Sequence, residues 1–141
     1  MTADHVAQVA QLERQCFADP WSEKSVASEQ ENKLAHWLVA LEADTVVGYV
    51  GSQTVMGETD MMNIAVASDH RRKGIAKALV EQLVADLQKM GSQCLTLEVR
   101  ASNDPAKSLY ESMGFVQIGK RPNYYRNPRE DALILRKEWN V

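Results

Sequence analysis

Between residues 61 and 100 the spacing of apolar side chains changes twice, and this narrows the possible folds more than any other feature. Residues 61–66 are mostly apolar and read as a strand. Residues 71–90 follow with Ile75, Leu79, Leu83, Leu87 and Met90 on one helical stripe, and Gly91 stands where a C-terminal cap belongs. Residues 95–100 then alternate, with Leu95, Leu97 and Val99 on one face and Thr96, Glu98 and Arg100 on the other. A domain that switches from strand to helix to strand over so short a stretch packs helices on a sheet.

The flanks extend the same pattern. Val6, Val9, Leu12 and Cys16 recur at helical spacing with Asp4 as the expected N-cap, and Ser22 is placed to cap a second helix reaching Gln30. Residues 36–42 and 46–55 form a hairpin about Ala43-Asp44, and Gly57 opens the next turn. Asp104-Pro105 is expected to cap and start a further helix that ends at Gly114. A strand begins at residues 115–119, a loop rich in Pro, Asn and Arg occupies 121–131, and 132–137 closes the sheet. The order αα, βββ, α, β, α, β, β implies one α/β domain over residues 1–141, with a mixed sheet of about six strands and helices on both faces.

Bulk properties exclude several classes. No apolar run approaches the roughly 18 residues that span a bilayer. The start Met-Thr-Ala-Asp-His lacks a basic and then apolar leader, so a cytoplasmic protein without a membrane partner is expected. Cys16 and Cys94 form no CxxC pair and read as reduced thiols. His5, His36 and His70 lack metal-ligand spacing, so no metal is assigned. A net charge of −3 disfavours nucleic acid and suits a cationic peptide. A monomer is expected.

Three signals carry chemistry. The strand ending Ile64-Ala65-Val66 leads through Arg71-Arg72-Lys73-Gly74 into a helix beginning Ile75-Ala76. Unpaired amides and the helix dipole make such a start an anion site, while glycine permits close approach of a phosphate. A plain solvated helix start fits the same residues. Glu98 lies opposite the apolar face of its strand, in a sheet expected to be covered on both sides. Burial there would raise its pKa into a base's useful range, although an ion pair with Arg100 or another cation fits too. Tyr110 shares a helix face with Ala106 and Met113, which reads as a core tyrosine. Asn103 precedes that helix and can present its side chain to a ligand.

Taken together, these segments resemble the GNAT acetyltransferase superfamily. The Arg71–Ala76 run resembles its acetyl-CoA pyrophosphate site, and Asn103 with Tyr110-Glu111-Ser112-Met113-Gly114-Phe115 its second cofactor motif. Leu97-Glu98-Val99-Arg100-Ala101-Ser102-Asn103, Asn123-Tyr124-Tyr125 before Arg129-Glu130-Asp131-Ala132, and Pro20-Trp21-Ser22 are similar to the RimI type within it. That type acetylates the N-terminal alanine of protein eighteen of the small ribosomal subunit. The resemblance implies that Ile64, Ala65 and Val66 hold the pantetheine arm of acetyl-CoA by backbone groups. It implies that Arg71, Arg72, Lys73, Gly74, Ile75 and Ala76 bind its pyrophosphate and that Asn103 touches it. Glu98 becomes the general base, directly or through water, and Tyr110 the acid that protonates the departing thiolate.

Substrate selection is expected from residues 18–30 and 121–131, with Trp21, Tyr124 and Tyr125 packing the first peptide residues, although Trp21 fits a core position as well. Glu58 and Asp60 are possible readers of a basic second residue. Two other readings share the phosphate site: an acetyltransferase for a small amine or lysine side chain, and a non-catalytic CoA-binding module. Arg71 stands where the family commonly has glutamine, and Ala76 where glycine is frequent. The family also has a short strand before its first helix, so an edge strand is expected to be missing here.

Overall fold

The computed structural model describes residues 1–126 and 128–139. After a 3₁₀ turn at Ala3–His5 come α1 (Val6–Cys16), α2 (Glu23–Ser28), β1 (Ala35–Glu42), β2 (Thr45–Val55) and β3 (Glu58–Val66). Then follow α3 (Ile75–Lys89), β4 (Cys94–Arg100), α4 (Asp104–Ser112), β5 (Val116–Tyr125) and β6 (Glu130–Glu138). The order of elements is the one the apolar periods predict. The six strands form one sheet in the order β1-β2-β3-β4-β6-β5, antiparallel except where β3 meets β4. Among the described residues no strand precedes α1, and Met1 N instead donates to the Trp37 carbonyl on the outer strand β1 at 3.1 Å.

Two cores flank the sheet. α3 and α4 press Leu79, Leu83, Leu87 and Tyr110 onto Leu95, Leu97, Val99 and Leu135 of one face. α1 and α2 press Val6, Val9, Leu12 and Val26 onto Trp37, Val46, Tyr49 and Ala65 of the other. Leu83 and Leu87 are fully buried, and cutting either to alanine costs about 2–5 kcal/mol. The second core holds no residue of β4, β5 or β6. Helices therefore lie on both faces of the sheet, as expected; α1 and α2 shield the β1–β3 half, and the Glu98 face of β4 and β6 lies outside their core.

Several boundaries differ from the sequence expectation for local reasons. Asp4 lies inside the 3₁₀ turn and does not cap α1; Thr2 N donates to His5 Nδ1 at 3.1 Å in front of it. Ser22 does cap α2, accepting from Ser25 N at 3.1 Å, and the helix ends at Ser28, short of Gln30. α3 starts at Ile75, not at Arg71, because Arg72 and Gly74 hold positive φ of 65° and 79° and cannot extend a right-handed helix. Its end is as expected: Gly91 adopts φ 88°, with Ser92 N reaching Leu87 O at 2.9 Å. Asn103, not Asp104, caps α4, its side chain accepting from Ala106 N at 3.3 Å.

The expected loop at 121–131, which includes Asn127 outside the described residues, is largely strand. β5 continues to Tyr125. Pro122 is tolerated there because β5 is the outer strand and needs no amide on its free side. Two extra residues between Arg121 and Tyr125 form a bulge around Asn123 at φ 53°, whose amide donates to Asp131 Oδ1 at 2.8 Å.

Candidate active site

The site begins with a failure of pairing. β3 and β4 run parallel and pair only from Glu58, Thr59 and Asp60 to Cys94, Leu95 and Thr96. Beyond that, β3 stays bonded to β2 as far as Val66, and β4 to β6 as far as Arg100. The two strands part into a V-shaped opening. A bulge at Met62, where Gly51 pairs with Asn63 but Ser52 with Met61, bends β3 along this stretch. Peptide groups of Ile64, Ala65 and Val66 not engaged by β2 thus face an opening rather than a neighbouring strand, except the Val66 carbonyl, which Arg71 takes.

At the wide end of β3 lies the basic loop. The first hydrogen bond of α3 runs from Ala78 N to Gly74 O at 3.0 Å, so the amides of Ile75, Ala76 and Lys77 have no partner within the helix. Alternating positive φ at Arg72 and Gly74 turns neighbouring amides inward, the arrangement that cradles an anion. Nothing of the protein lies within 4 Å of where a Cβ on Gly74 would stand, so this residue keeps the cradle open. At Gly48 a Cβ would come within 3.1 Å of Ile75 Cγ2, so its absence lets the first turn of α3 sit close against β2. Arg72 and Lys73 are exposed beside the cradle. Arg71 is not turned toward it: its Nε donates to Val66 O at 3.3 Å and its Nη2 lies 3.7 Å from Cys16 Sγ. Arg71 braces the loop against the end of β3. The cradle, its open space and its positive charge fit a pyrophosphate.

Glu98 stands on β4 just past the last pairing with β3, on the sheet face away from α3 and α4. Its side chain is 28% exposed, and Arg121 Nε lies 3.4 Å from its Oε1. The partner is thus Arg121, not Arg100. Arg100 instead binds the carbonyls of Arg126 and Pro128 at 3.0 Å and pairs with Glu130. Glu98 sits in a wet, charged environment rather than the dry one the alternation predicts. Asp60 lies close by; burial first, then the charges of Glu98 and Glu58, raise its carboxyl above the ordinary range. Burial and the same Glu98 carboxylate raise the Tyr124 hydroxyl and push Tyr125 up to about 12. The two rings meet edge-on at 5.1 Å, with Arg100 4.4 Å from the centre of Tyr125 and Arg121 5.6 Å from that of Tyr124. The β5 bulge therefore brings both tyrosines to the Glu98 side of the opening.

Tyr110 approaches from the other side. It is 5% exposed, packs edge-on to Phe115 at 5.5 Å and belongs to the core of Leu97 and Val99. Burial pushes its hydroxyl up to about 12, so it keeps its proton at neutral pH. Asn103 spends its side-chain oxygen on the helix cap, which leaves its amide nitrogen as the donor for a ligand. Trp21 is further from this cluster: its ring packs edge-on to Trp37 at 5.5 Å, at the border of the second core. Among the described residues no group of three or more His, Cys, Asp or Glu side chains is placed to hold a metal, and no helix is long and apolar enough to cross a membrane.

Periodicity did not reveal Glu13. It is fully buried on α1, where its carboxylate accepts from the Tyr49 hydroxyl, from Asn63 Nδ2 at 2.6 Å and from Trp21 N at 3.2 Å. A signal was present: Val6, Val9, Ala10 and Glu13 share one helical stripe, so a charge interrupts a buried face.

A parted pair of parallel strands, an anion cradle at the next helix, and a carboxylate and a buried tyrosine on opposite faces suit an acyl-transfer site. This chain belongs to the acetyltransferase (GNAT) family, whose sequence model matches residues 6–115. It is similar to the ribosomal protein bS18-alanine N-acetyltransferase of Escherichia coli K12, 40% identical over 126 residues that cover 88% of this chain and 84% of that one. The crystal structure of the ribosomal-protein-S18-alanine N-acetyltransferase from Escherichia coli superposes with a TM-score of 0.91 at 36% identity, over 100% of this chain and 92% of that one. Arabidopsis thaliana NAA60, solved with a bisubstrate analogue, shares the fold at 18% identity and a TM-score of 0.89, over 99% and 95% of the two chains.

Proposed function

We propose that this chain acetylates the N-terminal α-amine of a protein, using acetyl-CoA, and that its substrate is the N-terminal alanine of the small-subunit ribosomal protein its relatives are named for. One observation carries the reading: β3 and β4 part after Asp60 and Thr96, and Glu98, just past the parting, lies on one face of the sheet while Tyr110 belongs to the core on the other.

Acetyl-CoA supplies an acetyl group already activated as a thioester. The chain's own residues do the rest. The cradle of Arg72, Lys73, Gly74, Ile75 and Ala76, with Arg71 bracing it, holds the pyrophosphate, while Asn103 and the peptide groups of Ile64, Ala65 and Val66 hold the arm. On the Glu98 side, Tyr124 and Tyr125 pack the first peptide residues and the carboxylate takes a proton from the amine, directly or through one water. An α-amine loses its proton at about pH 7.7–8.0 against about 10.4 for lysine, so a modest base suffices. On the far side, Tyr110 donates a hydrogen bond to the sulfur, and the donor strengthens as negative charge develops there. A tyrosine at about 12 shares its proton with a thiolate near 8.5 without surrendering it, so Tyr110 stabilises the departing sulfur. The thiol takes its proton from solvent, to which Glu98 returns the proton of the amine. No covalent enzyme intermediate is required. The reaction belongs to a single, monomeric, cytoplasmic domain.

The test is thiol release from acetyl-CoA with a hexapeptide beginning Ala-Arg, against spermidine, an aminoglycoside and an N-blocked lysine peptide. Release with the Ala-Arg peptide alone supports the reading. Release with an amine or the blocked peptide instead points to the small-amine or lysine class.

A further inference from the structure

Glu13 has no part in the reaction above, yet three structural elements converge on it. Its carboxylate is fully buried, which is unfavourable for an ion unless its oxygens are well satisfied. A leucine would continue the apolar stripe of α1 without that cost. The partners show what the charge does. On Oε1 it receives the Tyr49 hydroxyl of β2 and Asn63 Nδ2 of β3; on Oε2 it receives the backbone amide of Trp21, which precedes α2.

All three partners are donors, the pattern an ionised carboxylate accepts without a proton of its own. Burial and this contact both raise the Tyr49 hydroxyl above its ordinary value. Asn63 directly follows the extra residue of the β3 bulge and precedes Ile64, and Tyr49 is the register partner of Ala65. One arm of Glu13 therefore grips the cofactor strand at its bend, and the other grips the loop ahead of α2. The Trp21 ring, edge-on to Trp37, which in turn stacks on Tyr49 at 5.8 Å, clamps that loop from the side.

We propose that Glu13 is a positioning residue that fixes the Trp21 loop to the bulged strand β3, so that the peptide-binding wall keeps a set distance from the acetyl-CoA strand. The assignment of that loop to the peptide is the expectation drawn from the sequence for residues 18–30, and it rests on the proposed reaction. Glu13→Gln preserves shape but has one acceptor oxygen. If that oxygen serves Tyr49 and Asn63, the NH₂ group faces the Trp21 amide, donor against donor.

Two readouts test this. Amide exchange followed by NMR on the wild-type protein is expected to show Trp21 N–H protected about 100-fold or more, and Glu13→Gln to reduce that protection about tenfold. In steady-state kinetics Glu13→Gln is expected to raise the peptide KM about tenfold while the KM for acetyl-CoA stays within about twofold. Tyr49→Phe, which keeps the bond to Trp21, leaves the peptide KM within about twofold of wild type. A purely structural Glu13 would lower kcat with both KM values unchanged, and that result overturns the proposal. So does a Trp21 amide that exchanges freely in the wild type, a measurement that stands even if Glu13→Gln does not fold. Failure of the wild type to acetylate any peptide would instead sink the proposed reaction, with the exchange result still deciding the role of Glu13.

Discussion

Glu98 and Tyr110 lie on opposite faces of the sheet, Glu98 on the face that α1 and α2 leave bare beyond β3 and Tyr110 inside the core beneath α3 and α4. Between them in the sheet, β3 and β4 part after Asp60 and Thr96. In the proposed reaction the sheet itself holds acid and base apart, so that neither quenches the other and each addresses a different end of the bond being exchanged.

The two residues should fail differently. Glu98→Gln is expected to lower kcat about 100-fold or more at neutral pH, with activity recovering as the pH rises through the range where the α-amine deprotonates unaided, about 8. Tyr110→Phe is expected to lower kcat about tenfold to 100-fold without that recovery, since the lost group serves the sulfur. Full pH–rate profiles of both variants check this. An alkaline rescue of the tyrosine variant would exchange the assigned roles.

Gly74→Ala tests the cradle. At φ 79° an alanine carries a strain of about 1–2 kcal/mol, and its Cβ enters space the protein leaves empty. The KM for acetyl-CoA is expected to rise about tenfold, with the peptide KM unchanged and the melting temperature a few degrees lower. Equal loss for both substrates would remove the glycine from the cofactor site.

His70 links stability to pH. It stands before the cradle with Nδ1 2.9 Å from Asp69 Oδ1 and Nε2 against Glu42 at the end of β1. Asp69 first and then Glu42 raise its pKa above the ordinary value. A raised folded-state pKa means the protonated form is favoured in the native state. Its stabilisation is complete below the unfolded value near 6.5 and disappears as pH rises through the higher folded value. Thermal melts of wild type and His70→Gln should therefore differ at pH 5.5 and converge toward pH 9. A difference that grows with pH would contradict this.

Much of this arrangement was legible in the chain, because helices and strands of opposite period follow one another from Met61 to Arg100 and each carries its own apolar stripe. The same periods place Glu98, Tyr110 and the basic loop on their elements, but each alone fits an ion pair, a core tyrosine or a solvated helix start as well, and their roles rest on the resemblance to the family. What periodicity does not encode is coverage: alternation put Glu98 opposite the core but not on the half of the sheet that α1 and α2 fail to reach. Pro122 disguised the long β5, since an edge strand tolerates what an inner one does not. Arg71 belonged to the right loop but turns back onto Val66, and Glu13 hid in a helical stripe where its three donors come from elements distant in sequence.

The most direct test of the account is where the acetyl group goes. A peptide with a free N-terminal alanine, arginine next and a lysine further along would be incubated with the protein and acetyl-CoA, and the product mapped by fragment mass. The account predicts a single addition on the alanine α-amine, fast in wild type and slowed in both the Glu98→Gln and Tyr110→Phe proteins. Acetylation on the lysine, or equal rates in all three proteins, would contradict it.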